Sequence, residues 1–149
     1  MTTAFGTFLW NGTLPSDDLV GTNPETKVSD DFGEQWAHEA NRMIAIAVHP
    51  QFVANEAFAS VGAPTADEHC WSITFRFNDR DASIWLQWVP DGDHENAFAF
   101  DIGYSYNLLR SLFERTGNVR DLDTLRLAVS RSLAAHPLIF DLVWDRRPD

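Results

Sequence analysis

Residues 69–104 read HCWSITFRFNDRDASIWLQWVPDGDHENAFAFDIGY. Three runs in this stretch are rich in the aromatic and β-branched residues that favour strands, namely His69–Phe77, Ala82–Val89 and Ala97–Tyr104. The links between the runs are short and contain Asn, Asp, Pro and Gly, which favour turns. The stretch therefore predicts three consecutive antiparallel strands.

The predicted register places apolar residues opposite one another on one face of these strands. Folding the first run onto the second about Asn78–Asp81 pairs Phe77 with Ala82, Phe75 with Ile84, Ile73 with Leu86, and Trp71 with Trp88. Folding the second run onto the third about Pro90–Asn96 pairs Trp88 with Phe98, Leu86 with Phe100, and Ile84 with Ile102. Because a one-residue slip would exchange the two faces, this agreement over three strands predicts the core face of the sheet.

The chain before this stretch predicts one strand and one helix. Ala4–Trp10 is an apolar run closed by Asn-Gly, which is typical of a strand and a turn. Asp30 and Asp31 can cap a helix whose apolar residues recur at helical spacing up to Val48. We expect this helix to end near His49, because Pro50 disfavours helical geometry in the residue before it. A further helical turn within Gln51–Ser60 is left open.

The chain after this stretch predicts two helices and a final strand. The first helix starts at Ser105 and ends at Gly117, and the second starts at Asn118 or Asp121 and is closed by Pro137. The final strand is Leu138–Trp144. Alternation places four of its side chains on one face: Leu138, Phe140, Leu142 and Trp144.

The predicted fold class is α+β, as a single domain over residues 1–149. Strands and helices come in runs and do not alternate strictly, which favours an antiparallel sheet of four to five strands with two or three helices packed on one face. The positions of the first and last strands in the sheet stay open.

The net charge of −11 is unevenly placed along the chain. Residues 1–100 hold fifteen acidic and four basic residues, whereas residues 101–149 hold seven of each. Such a field repels nucleic acid and anionic membranes and attracts cationic partners. The simpler alternative is a surface kept soluble by charge repulsion.

Several features predict a cytoplasmic protein. No apolar run approaches the roughly 20 residues of a membrane span, and Met1–Trp10 lacks the basic residues of a secretory signal. The lone cysteine, Cys70, excludes an internal disulfide framework. No glycine-rich phosphate loop and no G-x-S-x-G elbow occurs, so we assign no catalytic residue and no cofactor.

The sheet face opposite the predicted core carries a large aromatic residue among polar ones. In the predicted register Trp85 lies opposite Thr74 on one side and Asp101 on the other, with Gln87 and Arg76 nearby. A large aromatic ringed by polar groups is typical of an interface anchor. Alternatively, this face is covered by Gly12–Lys27 or simply solvated, with Arg76 paired to Asp101.

Acidic residues gather at one end of the three predicted strands. This predicted acidic end comprises Asp67, Glu68, Asp91, Asp93 and Glu95. His69 and His94 lie at the same end, yet the spacing fits no metal-binding loop, so we assign no metal.

These features together predict a binding protein. The leading hypothesis is an inhibitor or immunity-type protein that neutralises a basic partner enzyme such as a toxin or nuclease, without itself binding nucleic acid or membrane. The alternatives are a small-molecule-binding domain or modest enzyme that uses the Trp85 and Asp101 face, and a homo-oligomeric assembly protein.

Overall fold

The computed structural model describes residues 3–15, 30–67, 70–89, 94–104 and 119–145. These residues form one six-stranded antiparallel sheet and two helices, so the predicted α+β class is confirmed. The strands are β1 (Thr3–Trp10), β2 (Thr65–Ala66), β3 (Trp71–Phe77), β4 (Arg80–Trp88), β5 (Ala97–Tyr104) and β6 (Ile139–Trp144). The helices are α1 (Asp30–Ala54) and α2 (Val119–Ala134). The sixth strand, β2, has two residues and was not predicted.

The strand order is β2-β3-β4-β5-β1-β6, which answers the question that the sequence left open. The first strand enters the sheet beside β5, and the last strand forms the far edge. The predicted helix over residues 105–117 lies outside the described residues. Within the described part of the chain, neither helix has the length and apolar character needed to cross a bilayer.

Both described helices pack on the same face of the sheet, as predicted. α1 lies over β3 and β4, while α2 lies against β6 and β1 and also contacts α1. The alternating face of β3, β4 and β5 is buried beneath them. Its largest fully buried side chains are Ile73, Ile84, Leu86, Phe98, Phe100 and Ile102.

The hairpin between β3 and β4 is tighter than predicted. The predicted pairing of Phe77 with Ala82 is wrong, because Phe77 lies opposite Arg80 and Phe75 lies opposite Ala82. Asn78 and Asp79 alone form the turn, with φ angles of 50° and 61° in the left-handed region that Asn and Asp tolerate. A shift of two residues keeps every side chain on its face, so the predicted core face is right although the register is wrong. The predicted register of β4 with β5 is confirmed at all three pairs.

Helix α1 continues past the proline at which it was predicted to end. Pro50 lies inside the helix, which runs on to Ala54. Proline removes the hydrogen bond to the carbonyl of Ile46, but both residues are exposed, so water can satisfy that carbonyl. The extension buries Phe52 fully, and its ring lies 5.4 Å from Phe58 and 5.8 Å from Phe75. Burial of this ring compensates for the lost hydrogen bond.

A bulge in β6 overturns the predicted alternation of the final strand. Thr7 pairs with Val143 but Leu9 pairs with Phe140, so β6 contains one extra residue at this point. Asp141 takes up the irregularity with a φ of 53°. Phe140 therefore lies on the face away from the helices, whereas Leu142 and Trp144 pack on the core as predicted.

A glycine in β1 makes room for an aromatic pair on the core face. Gly6 lies between Phe100 on β5 and Trp144 on β6. The rings of these two residues meet edge to face with centroids 4.8 Å apart. A Cβ at Gly6 would lie 2.5 Å from the carbonyl oxygen of Val143 and 2.7 Å from Cζ of Phe100. Only glycine fits between these groups without displacing them.

The substitution Gly6→Ala should destabilise the protein by about 1–3 kcal/mol, the usual cost of overpacking a well-packed core. Urea unfolding followed by tryptophan fluorescence measures this change. The matched control is Gly33→Ala on α1, where a Cβ meets nothing within 4 Å. That change should stabilise the helix by up to about 1 kcal/mol. A Gly6→Ala protein as stable as wild type would contradict the packing described.

Candidate partner-binding site

The second face of the sheet is the face turned away from α1 and α2, and Trp85 lies at its centre. Trp85 pairs with Asp101 on β5, as predicted, but with Ser72 on β3, so the predicted pairing with Thr74 is wrong. The cause is the two-residue turn between β3 and β4. Gln87 lies on the same face two residues along β4, opposite Ala99. Trp85 is therefore ringed by polar and small side chains.

Trp85 differs from the other five tryptophans in its contacts. Neither its ring nor its indole N–H has a partner among the described residues, and the side chain is only partly buried. The other indoles all have neighbours. The ring of Trp10 lies tilted against that of His136, with centroids 5.0 Å apart, and the indole N–H groups of Trp36, Trp71, Trp88 and Trp144 donate to Pro15 O, His38 Nε2, Glu95 O and Ser130 Oγ, respectively. Trp85 is thus the tryptophan whose role in the described fold is least explained by packing.

The structure separates Arg76 from the other predicted site residues. Arg76 lies beside the β3–β4 turn, where its guanidinium donates to Asp81 at 3.0 Å and to the carbonyl of Asp79 at 2.8 Å. The alternative pairing of Arg76 with Asp101 is therefore not formed. Arg80, at the same turn, lies over the ring of Tyr104 at 5.0 Å. Both arginines of the hairpin are occupied within the chain.

The opposite end of the sheet carries the described members of the acidic end. Asp67 follows β2 and Glu95 precedes β5, and both side chains are exposed. Because β2 ends, β3 begins and β5 begins at this end, Asp67 and Glu95 lie at the same end of the sheet. Glu68, Asp91 and Asp93 lie outside the described residues. The β3–β4 turn thus combines two arginines with Asp79 and Asp81, whereas the described residues at the opposite end include the carboxylates of Asp67 and Glu95.

The backbone around Glu95 is held by several hydrogen bonds. The Glu95 carbonyl accepts from Trp88 Nε1 at 2.7 Å, and the Asn96 carbonyl accepts from the Trp10 amide at 3.0 Å. His94 is exposed beside Glu95, whereas His69 lies outside the described residues. Among the residues that the structure describes, no group of three or more His, Cys, Asp or Glu side chains could hold a metal ion.

Sequence reasoning missed the apolar part of the second face. Phe140 and Val143 are 46% and 57% exposed, and they lie opposite Leu9 and Thr7. The strand β1 continues this row, because Leu9 also pairs with Ala97 on β5. The sequence did not predict that Phe140 and Val143 lie on this face, because the bulge at Asp141 interrupts the alternation of side chains along β6.

Cys70 lies between Asp67 and the start of β3, and its thiol is less acidic than usual. Burial raises the pKa of the Cys70 thiol, and the negative charge of Asp67 raises this pKa further. The thiolate is the reactive form, so both causes slow its reaction at neutral pH. Cys70 is therefore a poor nucleophile here.

The substitution Asp67→Asn should lower the pKa of Cys70 and speed its alkylation by iodoacetamide at pH 7.5 by roughly two- to four-fold, as expected for one partly screened charge. Mass spectrometry at timed intervals measures this rate. The difference should vanish at a pH above the thiol pKa, because both proteins are then fully ionised. Asp79→Asn, at the other end of the sheet, is the control and should react like wild type. Equal rates for Asp67→Asn and wild type would show that Asp67 does not act on this thiol.

Comparison of the chain with protein-family models, with curated proteins and with solved structures finds no match in any of the three. The function must therefore be argued from the chain's own residues.

Proposed function

We propose that this chain is a small acidic binding protein that neutralises a cationic partner enzyme, such as a toxin or nuclease. The observation that carries the proposal is Trp85, a partly buried indole at the centre of the second face without a partner among the described residues. Tryptophan is the residue most enriched among interface anchors. Gln87, which is exposed two residues along β4 on the same face, provides a polar group that can orient a partner beside this ring.

The placement of charge supports a basic partner. The described arginines that belong to the first 100 residues are all occupied within the chain, since Arg42 pairs with Glu39 at 2.8 Å and the hairpin arginines are held as described above. Glu95 is exposed and in no ion pair with a described residue. A field of this sign speeds the encounter with a cationic protein and disfavours anionic ones.

The two features serve different steps of binding. Exposed carboxylates mainly raise the association rate and make it depend on salt, because their interactions are screened. A buried aromatic anchor mainly slows dissociation, because its contacts must be broken before the partner leaves. The acidic end and Trp85 can therefore be tested separately.

The substitution Trp85→Ala should weaken partner binding by at least about 30-fold, the effect of removing an anchor worth about 2 kcal/mol. The partner is first captured from a lysate of the source organism at low salt, then purified, and its affinity is measured by calorimetry. Ile46→Ala is the control, because Ile46 is an exposed apolar residue on α1, on the other side of the sheet. Trp85→Phe should retain part of the affinity. Equal binding by wild type and Trp85→Ala, with both folded, would reject the second face as the contact.

Neutralising the acidic end should lower the association rate without a large change in dissociation. The variant Asp91→Asn, Asp93→Asn, Glu95→Gln should associate roughly ten-fold more slowly at low salt, and this difference should shrink as salt rises. Stopped-flow kinetics measures both rates. The control variant Glu34→Gln, Glu56→Gln, Asp123→Asn removes the same charge from exposed positions on α1, just after α1, and on α2. If both triple variants slow association equally, net charge and not the acidic end is responsible.

A further inference from the structure

We propose that a cleft beside the acidic end receives an arginine side chain of the basic partner, an inference that rests on the proposed function and specifies its contact. The cleft has a volume of about 520 Å³. It lies where β1 ends, β5 begins and β6 begins. Its lining residues are Leu9, Trp10, Asn11, His94, Glu95, Asn96 and Phe140.

The walls of the cleft combine one carboxylate with apolar, amide and imidazole groups. Glu95 supplies the negative charge, and the amides of Asn11 and Asn96 supply further hydrogen-bond acceptors. Leu9 and the exposed ring of Phe140 supply apolar surface. None of the seven lining residues is a lysine or an arginine. This composition suits a cation that also has an extended apolar surface.

Arginine fits these walls better than lysine does. Its planar guanidinium can donate two parallel hydrogen bonds to a carboxylate and can also stack on an aromatic ring. Glu95 and Phe140 offer these two groups in one cleft. The same chemistry already occurs inside the fold, where the guanidinium of Arg126 lies 4.9 Å above the ring of Trp144. Charge complementarity and ring stacking therefore both favour arginine.

The backbone of the cleft is fixed by hydrogen bonds between the three strands. The amide of Asn11 donates to the carbonyl of Leu138 at 2.8 Å, and the amide of Trp10 donates to the carbonyl of Asn96 at 3.0 Å. The amide of Leu138 donates a hydrogen bond to Nδ1 of His136 at 3.2 Å. A site held in this way loses little conformational freedom when it binds a ligand.

The test is an NMR titration of the ¹⁵N-labelled protein with the capped peptide acetyl-Gly-Arg-Gly-amide at low salt. Amide shifts should concentrate at Asn11, Glu95 and Asn96. The citrulline peptide, which has nearly the same shape without the charge, should bind at least about ten-fold more weakly. The lysine peptide should bind about three-fold more weakly, because it lacks the planar fork. Shifts spread evenly over other exposed carboxylates would overturn the proposal.

Two variants assign the binding to the cleft. Glu95→Gln should lower the affinity for the arginine peptide about five-fold and remove the preference over the citrulline peptide. Phe140→Ala should lower the affinity for the arginine peptide about three-fold. Both side chains are exposed, so neither change should unfold the protein. Glu34→Gln, an exposed position on α1, is the control and should bind like wild type. Unchanged affinity in both cleft variants would reject the site.

Two further outcomes separate this inference from the proposed function and from a free ligand. If the arginine peptide does not bind while Trp85→Ala still weakens binding of the purified partner, the cleft is rejected as an arginine site and the proposed function stands. If the peptide binds the cleft but no basic protein is retained, the guanidinium site is supported and the proposed function fails. Free L-arginine should bind no more tightly than the capped peptide, because it has the same net charge and lacks the flanking peptide groups. Tighter binding of free arginine would overturn the assignment to a partner protein.

Discussion

Burial of one face of β4 beneath α1 constrains the rest of the structure. Ile84 and Leu86 are fully buried, and they lie opposite apolar residues of β3 and β5 on either side. Because strand side chains alternate, burying these residues forces Trp85 and Gln87 onto the second face. The opposite orientation of β4 would expose Ile84 and Leu86 to solvent and bury the amide of Gln87 in the apolar core. Burying that amide without a hydrogen-bond partner is costly, so the observed orientation is strongly favoured. The candidate site is therefore a direct consequence of the core.

The core face could be predicted from the sequence because its signal is repeated over three strands, whereas single-residue events could not. The predicted register of β3 with β4 was wrong by two residues, because a shift of two preserves the alternation of side chains. The sequence Asn78-Asp79-Arg80-Asp81 is also compatible with a turn of either two or four residues. The predicted end of α1 near His49 relied on the local effect of Pro50 on the helix. Burial of Phe52 in the core outweighs that local effect. The position of Trp85 on the second face could be predicted, because it depends only on the alternation of side chains along β4. The cleft was missed because Phe140 reaches it only through the bulge at Asp141.

The arrangement of charge follows from how the arginines are used. Arg76 and Arg80 are held beside the β3–β4 turn by Asp81 and Tyr104, so their positive charges stay at that end of the sheet. Glu95 has no described ion-pair partner at the other end, and its carboxylate remains available to solvent. Exposed ion pairs contribute little to stability, so this separation has little effect on folding. Its main physical effect is that no described arginine neutralises the exposed carboxylate of Glu95, which can therefore attract a cation at its end of the sheet.

The anchor and the cleft are close enough to belong to one interface. Val89 directly follows β4 and lies four residues beyond Trp85, which corresponds to about 13 Å along the strand direction. Val89 is hydrogen-bonded to Ala97, and the row continues through Leu9 to Phe140, three strands away or about 14 Å. An interface of standard size covers about 800 Å² on each partner, which is enough to include both positions. A single partner surface with an apolar pocket for Trp85 and an arginine near its rim would therefore match this face.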